Sequence, residues 1–290
     1  MERTLWEAAS TRRAEQFILE QGIDSLPICP FEIADQLDIS VEPLPPQSKG
    51  VSGMLLRQDK YYGIMYATYI DNEGFQRFCV SHELAHYLLP GHPESVLVDG
   101  MHTSQAGFVS KNRYELEADH FAAGLLMPKN LFGTAMDKAG DGLAAIEKLS
   151  NDCLTSLTAT AIRYAQQTPE AVAIVVSIGS KIDYCFMSDS LRELPGIDWP
   201  NKGMPLPLSV ITRKFNSDHS NILLSRRDEN ETTLQDWFGS SLDVEMYEEV
   251  IGLGRYEKTL TVLSASEIPD LEEIEDEEAL IESWTPRFRR

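Results

Sequence analysis

The chain has 290 residues, 42% hydrophobic and 24% charged, with 25 Lys+Arg against 46 Asp+Glu for a formal net charge of -21. That length allows two domains and a sizeable core. The acidity argues against duplex DNA or an anionic membrane as main partner, since both are bound through Lys and Arg. No apolar run approaches the ~18–20 residues of a membrane helix. The start, Met1 to Glu7, lacks the basic and apolar regions of a secretory leader, so the expected location is the cytoplasm. Cys29, Cys79, Cys153 and Cys185 form no C-x-x-C pair and are expected as reduced thiols, mostly in the core.

Taken along the chain, Leu5 to Gly22 has apolar residues at helical spacing, and Pro30 to Leu37 makes a second helix. A short strand is expected over Ile39 to Leu44. Pro43, Pro45 and Pro46 then break the chain. Val51 to Leu56 and Tyr61 to Tyr69 predict two strands around the polar turn at 57–60. A helix follows from Gly74 to Leu89, ended by Pro90-Gly91. His92 to Ser110, rich in Gly, Ser and His, is expected to be irregular. Another helix spans Arg113 to Met127, and a helix pair covers Leu143 to Leu149 and Ser156 to Gln166. The periodicity then changes: Ala171 to Ile178, a Gly179-Ser180 turn and Ile182 to Phe186 predict a hairpin, with a further strand at Thr259 to Leu263. A domain boundary is placed near Thr168-Pro169. Glu267 to Glu282 contains many acids and no base, as a solvated tail or helix would.

Chemistry concentrates in His82-Glu83-Leu84-Ala85-His86, an H-E-x-x-H inside an apolar helical stretch. Positions i and i+4 share a helix face, so both imidazoles can address one Zn2+. Glu83, about 100° round the helix from His82, can hold a water on the metal and take its proton.

Two candidates compete for the third ligand. His92 lies six residues after His86, where the metzincin pattern places its third histidine, but that pattern needs Gly where this chain has Leu89. Further on, the helix Tyr114 to Met127 carries Glu115 and Asp119 one turn apart. Glu115 can ligate, and Asp119 can accept the second ring N–H of a ligand histidine, with His82 the first choice. Glu117 faces elsewhere and is expected to be solvated or paired. A mostly apolar run after Asp119 predicts a packed helix, in which an unpaired carboxylate is costly.

HELAHYLL, followed by YELEADHFAAGLLMP, resembles the ImmA/IrrE family of zinc metallo-endopeptidases over about Phe78 to Pro128. The resemblance implies metal ligands His82, His86 and Glu115, with Glu83 as general base. It implies one Zn2+ per chain, although such ligands also accept Mn2+. It further implies a cytoplasmic endopeptidase that cleaves a helix-turn-helix repressor and so derepresses stress-response or mobile-element genes. The expected architecture is α+β: a zincin-like metallopeptidase domain of helices and a small sheet at 1–128, a helical, helix-turn-helix-like segment at 129–168, and a mixed α/β regulatory domain with an acidic tail at 169–290.

The helix-turn-helix-like segment offers only Arg163 on its second helix, so direct DNA binding is not expected. Tyr61 to Thr68, just before the active-site helix, is a candidate edge strand for an extended substrate, or else an ordinary sheet strand. The sequence does not assign a donor for the developing oxyanion. Tyr87, Tyr114, His102 and His120 are within reach by chain position, and each is expected to be structural. A zinc-bound regulator that binds a repressor or DNA without cutting is the alternative function.

Overall fold

The computed structural model describes residues 2–45, 47–48, 50–105, 110–265 and 267–268. The expected acidic tail therefore lies outside the described residues apart from Glu267 and Ile268. The chain is mixed α+β, with two sheets among the described residues, and divides into compact units at 1–160 and 161–290.

The first unit begins with α1 (Glu2–Glu20), α2 (Pro30–Gln36) and β1 (Ser40–Pro43). Strands β2 (Gly53–Gln58) and β3 (Tyr61–Tyr66) form a hairpin closed by Asp59-Lys60, with Asp59 at φ 56. Asp tolerates this left-handed position because its short polar side chain bonds locally. Next come α3 (Glu73–Leu88), α4 (His92–Val96), β4 (Met101–Ser104) and α5 (Arg113–Leu126). Then follow α6 (Lys129–Met136), α7 (Gly142–Cys153) and α8 (Leu157–Gln167), and the division between units falls inside α8.

The sheet order is β1-β3-β2-β4, with β1 parallel to β3 and the other pairs antiparallel. This corrects two expectations. The strand before α3, β3, is interior, because β1 pairs along its far side. The segment after His92 is not irregular throughout: α4 and β4 lie within it, and β4 forms a sheet margin.

Both long site helices are punctuated by their sequence. Asn72 caps α3 through Phe75 N at 2.9 Å, and α3 ends before Pro90. Asn112 caps α5 through Tyr114 N at 2.9 Å, and α5 stops before Pro128. Each cap satisfies an otherwise orphaned amide and is worth about 1 kcal/mol. Phe17, Ile18, Leu55, Ile64, Val80, Leu84, Phe121 and Leu125 fill the core between α1, α3, α5 and the sheet. Burying each contributes roughly 1.5–3 kcal/mol. Helix α5 lies hard against α1: a Cβ on Gly124 would stand 3.0 Å from the Thr11 carbonyl oxygen.

The second unit holds β5 (Val172–Ile178), β6 (Lys181–Met187), α9 (Asp189–Arg192), α10 (Ile211–Asn216) and α11 (His219–Leu223). It continues with β7 (Arg227–Thr233), α12 (Leu234–Phe238), β8 (Glu245–Gly252) and β9 (Thr259–Ala265). Its antiparallel sheet runs β6-β5-β9-β8-β7. Ala173, Val175, Met246 and Leu263 pack against Leu191, Leu234, Trp237 and Phe238. Glu248, fully buried on β8, accepts from Thr212 N at 2.8 Å, Thr212 Oγ1 at 2.6 Å and Trp237 Nε1 at 3.3 Å. Those partners replace the water it loses.

Candidate metal centre

Helix α3 is enclosed on nearly every side, so its polar residues are buried with its apolar ones. His82, Glu83 and His86 are all fully buried. The i, i+4 spacing brings His82 Nε2 and His86 Nε2 to 3.2 Å. Helix α5 adds Glu115, with Oε2 3.5 Å from His82 Nε2 and Oε1 3.3 Å from His86 Nε2. One ligand atom from each of these three residues lies within 4.8 Å of the others, so the group could hold a metal ion.

The donor chemistry fits such an ion. His82 Nδ1 is 2.9 Å from Asp119 Oδ1, and Asp119 is fully buried. The carboxylate accepts the Nδ1 proton, which leaves Nε2 of the neutral imidazole as a bare lone pair. Two imidazole nitrogens and a carboxylate oxygen, all facing one point away from water, form a borderline-soft set of the kind that binds Zn2+. Burial opposes charge on His82, yet its bonds to Asp119 and Glu115 raise it to about 10. Burial instead drives His86 down to about 3. Although burial penalises its charge, the facing imidazoles of His102, His82 and His86 hold Glu115 far below the carboxylate range.

Glu83 points off this face towards the sheet. Gly53 and Leu55 on β2 are registered with Ser104 and His102 on β4, so these four face the helices together. The Glu83 carboxylate rests on Gly53, where a Cβ would stand 2.3 Å from Oε1. Among the described residues, neither Glu83 oxygen has a hydrogen-bond partner, and neither does the Ser104 hydroxyl. Burial pushes the Glu83 carboxyl up to about 7, against the opposing pull of His82 and of the nearby Ser104 hydroxyl.

His92 is not part of the three-residue group. Its Nδ1 sits 3.1 Å from His86 Nδ1, and its Nε2 is 3.0 Å from Glu117 Oε2. Glu117, expected to be solvated or paired, is buried and paired, also taking Arg113 Nε at 2.8 Å. His120 turns away and lies 3.8 Å from Glu7 and edge-on to Trp6. Cys79 is a fully buried thiol whose ionisation burial suppresses.

His102 is the residue that sequence reasoning undervalued. Its Nε2 donates to Glu115 Oε1 at 2.9 Å, its ring centroid is 4.5 Å from that of His86, and its side chain is 16% exposed. It thus stands on the solvent side of the centre. Its signal was a histidine two residues from Ser104 in alternation, hidden because the strand has only four residues.

Residues 34–152 match the family model of the IrrE N-terminal-like domain, Peptidase_M78, a range that includes all the residues of the centre. No curated protein matches the chain. Among solved structures, a Mycobacterium tuberculosis transcriptional regulator aligns over 89% of this chain and 76% of its own, with TM-score 0.56 and 13% identity. At that identity the likeness is one of fold. Among the described residues, no helix is long and apolar enough to cross a membrane. The chain carries an IrrE N-terminal-like domain over residues 34–152, in keeping with its resemblance to the ImmA/IrrE family.

Proposed function

We propose that the protein is a metal-dependent endopeptidase, with His82, His86 and Glu115 as ligands, Glu83 as general base and Asp119 orienting His82. The observation that carries this reading is Glu83: a fully buried carboxylate, neither oxygen partnered among the described residues, next to three converging side-chain donor atoms. Such a group is costly unless function requires it. A divalent ion such as Zn2+ supplies Lewis acidity for activating water and polarising a peptide carbonyl.

The chain's own residues do the rest. Glu83, elevated by burial to about 7, is matched to accept a proton from water near neutrality and deliver it to the leaving amine. Gly53 keeps space for that carboxylate, and Asp119 holds the His82 tautomer. His102, on the exposed side, is suited to transfer its Nε2–H bond from Glu115 Oε1 to the carbonyl oxygen of a bound peptide. Apart from the bridge between Val98 and Met101, nothing pairs with the outer side of β4 among the described residues, so an extended substrate can pair along the strand beyond Met101.

The substrate of this reading is a helix-turn-helix repressor, and its setting is a cytoplasmic transcriptional switch. The family resemblance supports the first, and the regulator among the fold neighbours supports the regulatory setting. Co-expression with a candidate helix-turn-helix repressor, followed by mass spectrometry, should show discrete fragments. An intact repressor whose genes are nevertheless derepressed would favour a regulator that binds without cutting.

A further inference from the structure

The two ligand histidines are held differently. His82 meets the Asp119 carboxylate directly, whereas His86 meets a second imidazole, with Nδ1 to Nδ1 at 3.1 Å. His92 is 2% exposed and begins α4, placed there by the Pro90-Gly91 turn with Gly91 at φ 80. Tyr114 stands edge-on to the His92 ring at 5.0 Å. Beyond His92, Glu117 Oε2 lies 3.0 Å from Nε2, and Arg113 Nε holds the other Glu117 oxygen at 2.8 Å.

Proton placement along this row follows from its chemistry. Two Nδ1 atoms at that distance share one proton. If His86 Nδ1–H donates to His92 Nδ1, then neutral His92 carries its proton on Nε2 and donates it to the Glu117 carboxylate. Each contact along the row from His86 to Glu117 is then a donor meeting an acceptor, and His86 Nε2 is left as a bare lone pair towards His82 and Glu115, as a metal ligand needs. With neutral His92 reversed, its unprotonated Nε2 would face a carboxylate, and His86 would turn an N–H towards the ligand group. Glu117 therefore selects the first arrangement.

We propose that His92 and Glu117 are positioning residues that fix His86 as its Nδ1–H tautomer, carrying the carboxylate's influence to the ligand through an intervening imidazole. Arg113 anchors the far end of the row. The inference rests on His86 being a metal ligand, as set out above.

The test is zinc affinity, measured on the full chain by competition with a chromophoric chelator, together with the melting temperature of the metal-free protein. His92→Leu fills the space without the relay, and Glu117→Gln removes the charge and one acceptor. Each should weaken zinc binding about 10–100-fold, the usual effect of losing a partner behind a ligand. His92→Gln can still accept from His86 and donate to Glu117, so its affinity should stay within about threefold of wild type, well short of that loss. Equal losses in His92→Leu and His92→Gln, or wild-type affinity in His92→Leu, would overturn the proposal. Should His92→Leu fail to fold, Glu117→Gln with an unchanged metal-free melting temperature decides it: weakened zinc supports the row, and wild-type affinity overturns it. Failure of the underlying reading looks different, since wild type itself would then bind no stoichiometric zinc.

Discussion

Glu83 and Gly53 are in direct contact: a methyl group on residue 53 would stand 2.3 Å from the Glu83 carboxylate oxygen. The contact places the proposed base between the metal-binding face of α3 and the backbone of β2. It also makes a glycine far from the H-E-x-x-H motif part of the same machinery.

Gly53→Ala should therefore displace the carboxylate while leaving His82, His86 and Glu115 in place. An ångström-scale displacement of a reacting group can cost about 100-fold in rate. The expected variant retains zinc at wild-type stoichiometry but loses about that much peptide hydrolysis, measured side by side on one preparation. Unchanged turnover would show that the contact has no bearing on the base.

Glu115→Ala removes the only carboxylate in the ligand group and should abolish stoichiometric zinc after gel filtration. His92→Leu should weaken zinc without abolishing it, because His92 contacts His86 but is not itself one of the three residues. Elemental analysis of both proteins tests this. The reverse pattern would make His92 the third ligand.

His102→Ala leaves the three ligands intact and removes a donor on the exposed side of the centre. Loss of an oxyanion donor typically lowers kcat by about 10²–10³. The expected signature, measured at saturating zinc because His102 also bonds Glu115, is a fall in kcat larger than any change in KM.

The second unit offers a stability test. Lys202 Nζ and Lys258 Nζ lie 2.6 Å and 2.8 Å from the Asp183 carboxylate oxygens. Burial works against the charge, but the two lysines hold the Asp183 carboxyl below its ordinary value. A depressed carboxyl contributes stability above its unfolded value of about 4 and loses that contribution as pH falls further. Asp183→Asn should thus cost about 1 kcal/mol at neutral pH. Denaturant melts should show the difference between the two proteins shrinking below about pH 4.

A net charge of -21 acquires a specific meaning if the substrate is a basic DNA-binding protein. Electrostatic steering would speed encounter, so kcat/KM should fall as salt rises while kcat changes little. A flat profile would confine the charge to solubility.

The pairs at the proposed metal centre were legible in the sequence because their geometry is local, while the meeting of Glu115 with the two histidines depends on α5 packing against α3. His82 and His86, like Glu115 and Asp119, are related by one helical turn, and a turn is readable from spacing alone. What surrounds them was not legible, because it depends on pairings between distant segments. The four-residue strand β4 has no periodicity of its own and exists through its register with β2, so neither His102 nor the Gly53 cradle had a local signature. His92 could be placed near His86 by count, but which of its nitrogens faced what depended on the Pro90-Gly91 turn. The interior position of β3 came from β1 pairing in parallel on its far side. In the second unit, β7 reads RDENETT, too polar to resemble a strand, and it forms by pairing with β8.

The most direct test of the central claim is a paired measurement on purified wild type and Glu83→Gln: metal per chain, and the rate of fragment formation from the repressor. Glutamine keeps the shape but cannot take a proton, so the variant should bind zinc as wild type does and cut nothing detectable. Cleavage by Glu83→Gln at the wild-type rate, with zinc equally bound, would contradict the account.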